Sequence, residues 1–124
     1  MKNSDYWGHH LSIDAAGPDL AAISSVEQIT AFAKDLVKRI DMVAFGEPQV
    51  VRFGTGNKAG ITLVQLIETS NICCHFVEDD GAGGTSFYMD VFSCKPFNNE
   101  DVFQCCADYF GSTKNRVHYF VRQA

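Results

Sequence analysis

The chain has 124 residues, of which 46% are hydrophobic and 12% are aromatic, and this composition excludes an intrinsically disordered protein. Its formal net charge of −5 repels nucleic-acid phosphates and anionic lipid, so we expect neither nucleic acid nor a membrane as a partner. The sequence contains no apolar run of membrane-spanning length and no signal-peptide pattern, so we predict one cytoplasmic domain, residues 1–124.

The first half of the chain predicts a strand, a helix and a second strand. Residues 7–13 alternate apolar and polar side chains, as is typical of a strand with one buried face, and residues 14–19 interrupt the pattern with a Gly-Pro turn signal. A capping box that begins at Ser25 opens a helix of about 26–41, because apolar residues recur there at helical spacing. Residues 49–53 favour a short strand that ends at a glycine-rich loop.

The second half predicts four more strands and one helix. Residues 61–68 and 71–77 are rich in branched and aromatic side chains, and no strong turn signal separates them, so we expect two strands lying almost end to end. The remaining predicted elements are a turn at 79–84, a strand at 86–93, a helix at 99–110 capped by Asn98 and a closing strand at 116–122. Two helices are too few for an all-parallel sheet. We therefore predict an α+β two-layer sandwich, with a mainly antiparallel β-sheet and both helices packed on one face.

The five cysteines include two adjacent pairs and no CxxC spacing. Without a secretion signal, reduced thiols are expected rather than a disulfide framework. Cys73 and Cys74 are neighbours on a predicted strand, so their side chains point to opposite faces and are poorly placed to share a metal ion. The acidic run at 78–80 has metal-binding residue types, but we interpret it as a solvated turn. We expect no metal site.

Ser70, His75 and Cys94 are the best local group of reactive side chains. Ser70 and His75 are five residues apart on or beside one strand, and Cys94 lies near the end of the next strand. Taken alone, each has an ordinary structural interpretation: a hydrogen-bonded hydroxyl, a partly buried imidazole and a small core thiol. Glu68 is a further candidate, because a carboxylate inside an apolar strand either lies near an edge or has a function.

The sequence contains four short motifs in this order along the chain: GHHL at 8–11, ETS at 68–70, HFVED at 75–79 and DVFSC at 90–94. They resemble the motifs of the small bacterial and archaeal S-adenosylmethionine decarboxylases, which are Gly-x-His-Leu, Glu-Ser-His, His-Thr-x-Pro-Glu and Asp-hydrophobic-Phe-Thr-Cys-Gly. In both, the histidine follows the serine by five residues, and the likeness runs from about residue 7 to 122. About four additional residues fit in the turn at 81–84, because surface turns tolerate added length.

The resemblance implies which residues carry the processing reaction. Ser70 matches the serine at which the family cleaves its own chain, and His75 matches the histidine that assists. Thr62 stands where the family has a second serine, eight positions earlier, and keeps a hydroxyl. A different register would place Glu68 and Thr69 on the family's Glu-Ser pair, but that register loses His75, so Ser70 is preferred.

What the resemblance implies chemically is cleavage of the bond between Thr69 and Ser70. The Ser70 hydroxyl attacks the Thr69 carbonyl and gives an ester, which elimination and hydrolysis then break. The products are residues 1–69 and residues 70–124, the second of which begins with a pyruvoyl group. In this scheme His75 takes up the proton that is lost during elimination.

The resemblance also implies an activity: pyruvoyl-dependent decarboxylation of S-adenosylmethionine in spermidine and polyamine biosynthesis, by a homodimer. The pyruvoyl ketone forms a Schiff base with the substrate amine and accepts the electrons released with carbon dioxide, and Cys94 matches the thiol that reprotonates the substrate. The chain departs from the family at Asn71, at 76–78 and at Lys95. Two alternatives therefore stay open: a pyruvoyl decarboxylase of another amino acid, such as ornithine or arginine, and an uncleaved, non-catalytic relative that binds a small molecule or a partner.

Overall fold

Six strands form one antiparallel sheet in the computed structural model, which describes residues 5–124. The strands are β1 (Gly8–Ala16), β2 (Gln49–Phe53), β3 (Gly60–Ile67), β4 (Ser70–Val77), β5 (Ser86–Ser93) and β6 (Lys114–Arg122). They are ordered β2-β3-β4-β5-β1-β6 across the sheet, and every neighbouring pair is antiparallel. The predicted fold class is confirmed.

Three helices accompany the sheet: α1 (Leu20–Ile23), α2 (Val26–Arg39) and α3 (Asn99–Tyr109). The Ser25 hydroxyl accepts the backbone N–H of Gln28 at 3.1 Å, which is one half of the predicted capping box. The Gln28 side chain does not complete the box; it donates to the Tyr109 carbonyl at 3.1 Å and so joins α2 to α3. The one-turn helix α1 was not predicted, because four residues are too few to show helical periodicity.

Strand β1 is longer than the sequence indicated. It continues to Ala16, through residues predicted to interrupt it, because the alternation persists: Ile13 and Ala15 are buried while Asp14 is half-buried. Asp14 and Ala15 pair with both β5 and β6, so the ladder on each side holds this end extended. Backbone pairing outweighs the low strand propensity of aspartate.

The hydrophobic core lies between the helices and one face of the sheet. Alternate residues of β1, β3, β4 and β5 point into it and meet the apolar sides of α2 and α3. At its centre the ring of Phe110 contacts the rings of Phe32, Phe76 and Phe87, with centroid distances of 4.7, 4.9 and 5.7 Å. This aromatic cluster joins both long helices to the middle of the sheet.

The other face of the sheet has no helix of the described chain over it, and we call it the open face. Side chains that line it include His10, Thr62, Asn71, His75, Tyr88, Asp90, Phe92 and Phe120. Several of its large apolar side chains are exposed, with Leu66 at 45%, Tyr88 at 45% and Phe120 at 44%. Within residues 5–124 no helix combines the length and the apolar content needed to cross a bilayer.

The prediction that two strands lie end to end around residues 69 and 70 is wrong. β3 and β4 pair side by side as a hairpin, in which Ile67 is opposite Ser70 and Thr62 is opposite His75. Glu68 and Thr69 form the turn, although neither residue is a usual turn former. The turn is held from outside the hairpin, because the N–H of Glu68 donates to the Val43 carbonyl at 2.9 Å.

Replacing Phe110 with alanine should lower the free energy of unfolding by about 3–5 kcal/mol, because it opens a cavity in the aromatic cluster. The matched control is Phe53→Ala on the edge strand β2, where the ring is 60% exposed, and we expect a change within about 0.5 kcal/mol. Urea unfolding followed by circular dichroism measures both. Equal losses in the two variants would contradict this description of the core.

Candidate active site

The bond between Thr69 and Ser70 lies at one end of the sheet, where the β3–β4 turn meets the end of β5. Ser70 is the first residue of β4 and is the pairing partner of Ser93, the last residue of β5. Cys94 follows directly. The register of β4 and β5 therefore brings the predicted cleavage residue and the predicted catalytic thiol to the same place.

Thr69 is held by two hydrogen bonds from the end of β5, one to its carbonyl and one to its side chain. The backbone N–H of Cys94 donates to the Thr69 carbonyl at 2.9 Å. The hydroxyl of Ser93, which is completely buried, donates to the Thr69 hydroxyl at 2.8 Å. The Thr69 hydroxyl in turn donates to the sulfur of Met42 at 3.3 Å, which links the turn to the segment after α2. The carbonyl carbon that precedes Ser70 is thus held beside a donor aimed at its oxygen.

Ser70 has an unfavourable backbone conformation. Its φ is 154°, in a region that glycine adopts readily and that other residues occupy at a cost of about 1–3 kcal/mol. Such strain persists only where surrounding contacts fix the backbone, and here the pairing of Ser70 with Ile67 and Ser93 on its two sides does so. The Ser70 side chain is half-buried, and its hydroxyl accepts a long hydrogen bond, 3.5 Å, from the Asn71 amide.

Lys95 attaches the segment after β5 to the end of α2. Its backbone N–H donates to the Ser93 hydroxyl at 3.0 Å. Its ammonium group donates to the Asp41 carbonyl at 2.6 Å and to the Asp41 carboxylate at 3.0 Å. These contacts flank Cys94, so they help to hold its N–H on the Thr69 carbonyl.

His75 and Thr62 lie elsewhere on the sheet. Five residues of extended chain separate His75 from Ser70, a distance of about 16 Å along β4. The imidazole is exposed on the open face, where its Nδ1 is 3.2 Å from the Thr62 hydroxyl on the neighbouring strand. Within one chain the structure therefore does not bring His75 next to Ser70 and Cys94, and the odd interval along the strand also places His75 on the other face from Ser70.

A family model for S-adenosylmethionine decarboxylase matches residues 9–123, almost the whole sequence. The chain belongs to the S-adenosylmethionine decarboxylase family. Its fold is similar to the crystal structure of the adenosylmethionine decarboxylase from Aquifex aeolicus VF5, with a TM-score of 0.74 at 20% identity, over 96% of this chain and 92% of that one. No curated protein matches the sequence. The recognition made from the four motifs is confirmed.

The six predicted site residues of this decarboxylase-family chain thus form two groups. Glu68, Thr69, Ser70 and Cys94 surround the turn, with the Glu68 side chain exposed, while Thr62 and His75 form the second group on the open face. In residues 5–124 no three His, Cys, Asp or Glu side chains lie close enough together to hold a metal ion.

The sequence analysis missed Ser93 and the backbone N–H of Cys94. Ser93 could have been found, because the alternation of β5 places it on the same face as Met89 and Val91 and so predicts a buried hydroxyl in an apolar row. The role of the Cys94 N–H could not have been found from the sequence, because the register of β4 and β5 determines that it meets the Thr69 carbonyl.

The five thiols differ in exposure and acidity. Cys94 is exposed and Cys73 is half-buried, while Cys74, Cys105 and Cys106 are buried. Burial raises the pKa of Cys105 and of Cys106 to about 12, and it also raises the pKa of Cys74. Because pH 8 is far below these values, Cys105 and Cys106 are almost entirely in the unreactive thiol form there.

Iodoacetamide at pH 8 should therefore modify Cys94 first, Cys73 more slowly, and the three buried cysteines only after unfolding. Peptide mass mapping over a time course measures the five rates separately, and the same experiment in 6 M guanidinium chloride provides the unfolded reference. Modification of Cys105 or Cys106 in the folded protein at a rate close to that of Cys94 would be inconsistent with this arrangement.

Proposed function

We propose that this protein is a self-processing, pyruvoyl-dependent S-adenosylmethionine decarboxylase of spermidine and polyamine biosynthesis. One observation carries the proposal: the Thr69 carbonyl, next to the Ser70 hydroxyl, accepts a hydrogen bond from the Cys94 N–H. A nucleophile, an electrophile and a donor to the electrophile's oxygen therefore occur together in the unprocessed chain.

The donor lowers the barrier to the first step. Attack of the Ser70 hydroxyl on the Thr69 carbonyl carbon moves negative charge onto the carbonyl oxygen. The Cys94 N–H is already 2.9 Å from that oxygen, so it stabilises the charge without reorganisation. In other enzymes one such donor contributes about 3 kcal/mol to the stability of the transition state.

The strained backbone at Ser70 acts in the same direction. The C–N bond of the Thr69–Ser70 peptide breaks as the ester forms. The nitrogen of Ser70 is then no longer attached to the Thr69 carbonyl carbon, so the unfavourable φ is no longer imposed. Release of the strain at φ 154° contributes about 1–3 kcal/mol to this rearrangement. The neighbouring contacts of Ser93 and Met42 hold Thr69 in place meanwhile.

The residues present fit a pyruvoyl group at position 70. Cleavage would leave it at the start of β4, opposite Ser93, and the exposed thiol of Cys94, the next residue after Ser93, would return a proton to the decarboxylated substrate. The group would supply an electron sink for the electrons left by carbon dioxide. Ser93, which is fully buried, lies opposite this position on β5.

An aromatic groove on the open face favours S-adenosylmethionine over ornithine or arginine. The groove, of about 420 Å³, is lined by Trp7, Phe92, Arg122 and the last two residues of the chain. Phe92 pairs with Asn71, the residue that follows Ser70 in the chain. Aromatic faces attract a sulfonium and stack on adenine, and Arg122 offers a charge partner for a carboxylate. Ornithine and arginine lack the flat base that such a groove accommodates.

A homodimer with the two open faces packed together would overcome the distance of about 16 Å along β4 between His75 and Ser70. A two-fold axis that lies between the sheets and runs across the strands places the His75 end of one sheet over the Ser70 end of the other. The exposed side chains of Leu66, Tyr88 and Phe120 supply apolar area for this contact. We propose that Thr62 and His75 act on the Ser70 of the second copy.

Intact mass spectrometry of freshly purified protein tests self-processing. We expect two fragments, residues 1–69 and residues 70–124, the second bearing a pyruvoyl group in place of Ser70. Ser70→Ala should remain intact because it lacks the nucleophile, whereas the control Ser112→Ala, an exposed serine before β6, should be cleaved like the wild type. A wild-type chain that stays whole under all conditions, like Ser70→Ala, would rule the proposal out.

Co-expression of differently tagged variants tests the shared site. His75→Ala alone should not be cleaved, because each active site lacks its imidazole. Together with Ser70→Ala, which still supplies His75, the His75→Ala chain should be cleaved at Thr69–Ser70. A double variant carrying both substitutions is the control partner and should not restore cleavage. If His75→Ala is processed normally on its own, His75 has no part in the reaction.

A further inference from the structure

Asn71 is the side chain that contacts the hydroxyl of Ser70. Its amide nitrogen Nδ2 is 3.5 Å from Ser70 Oγ, and its amide oxygen Oδ1 accepts from the Cys73 thiol at 3.8 Å. Because the Cys73 thiol donates to the amide oxygen, the amide nitrogen of Asn71 faces Ser70, and its N–H groups can donate to the serine oxygen. Asn71 is half-buried and lies between Leu66 and Phe92 on the neighbouring strands, so its side chain has little freedom to turn away.

We propose that Asn71 stabilises the leaving oxygen in the elimination step of self-processing. The inference rests on the proposed function, and it assigns to this asparagine a role that differs from those of Cys94, Ser93 and His75. Cys94 acts on the carbonyl oxygen of Thr69, whereas Asn71 acts on the oxygen that begins as the Ser70 hydroxyl.

The chemistry separates the two steps. In the first, Oγ of Ser70 bonds to the Thr69 carbonyl carbon, the C–N bond breaks, and the hydroxyl proton ends on the released amine. In the second, a base removes the Cα proton of residue 70, the Cβ–Oγ bond breaks, and Oγ leaves as part of the Thr69 carboxylate. The dehydroalanine that remains takes up water and loses ammonia, which gives the pyruvoyl group.

Negative charge develops on Oγ only in the second step. A hydrogen bond donated to Oγ is therefore stronger in that transition state than in the ground state. Only such a difference increases the rate of the elimination step. The ground-state distance of 3.5 Å is long, but hydrogen bonds to an ionised oxygen are shorter and stronger than those to a neutral one. The amide also keeps its N–H groups at every pH, because it does not titrate.

The test follows the full chain in a cell-free translation, with pulse labelling and a chase, by intact mass. Samples are split, and one half is treated with neutral hydroxylamine, which cleaves an ester and leaves peptide bonds intact. The ester form then gives residues 1–69 as a hydroxamate and residues 70–124 with an unmodified serine. The pyruvoyl product has a different mass, so uncleaved chain, ester and product are counted separately.

Asn71→Asp and Asn71→Leu are nearly isosteric changes that remove the donor. We expect either variant to form the pyruvoyl fragment at least about tenfold more slowly and to accumulate the hydroxylamine-sensitive ester, whereas loss of a donor that acts in the first step would leave uncleaved chain. The matched control is Asn115→Leu, the same change on an exposed residue at the opposite end of the sheet, and it should process like the wild type. Thermal unfolding of the purified variants verifies that each is folded.

Two results would overturn the inference while leaving the proposed function intact: wild-type rates in Asn71→Asp and Asn71→Leu, or slow processing with no hydroxylamine-sensitive ester. A wild-type chain that never cleaves overturns both proposals. The two failures are therefore distinguishable in one experiment.

Discussion

The hydrogen bond from the Cys94 N–H to the Thr69 carbonyl is the contact on which the candidate site depends. It exists because β4 and β5 pair in a register that sets Ser70 opposite Ser93. That register is fixed by the core, since a slip of one residue would move the buried row of β5 to the open face. The site is therefore positioned by the same apolar packing that stabilises the sheet.

Much of the fold could be predicted because its signals are local. The Ser25 cap and the spacing of apolar residues predicted α2, and the alternation in 86–93 predicted β5 to the residue. The β3–β4 turn could not be predicted, because it contains no glycine, proline or asparagine. It depends on the bond between Glu68 and Val43, which are distant in sequence, and on a φ at Ser70 that nothing in the local sequence demands.

The site was predictable in composition but only partly in geometry. Ser70 and Cys94 came from motif spacing, and strand pairing brought them together. Within one chain His75 lies apart from them for a reason visible in the sequence: five residues on an extended strand cover about 16 Å and end on the other face. Ser93 was overlooked because a buried serine in an apolar row looks like a packing residue until its partner, Thr69, is known.

A backbone donor makes the contact to Thr69 independent of the side chains around it. The chain keeps the fold of an adenosylmethionine decarboxylase at 20% identity, and its departures from the family motifs include Asn71 and Lys95. The Cys94 N–H is present whatever side chains flank it, so substitutions there leave the contact to Thr69 in place as long as the register of β5 is kept. The side chains of Asn71 and Lys95 add contacts of their own on either side of this backbone bond, to the Ser70 hydroxyl and to Asp41.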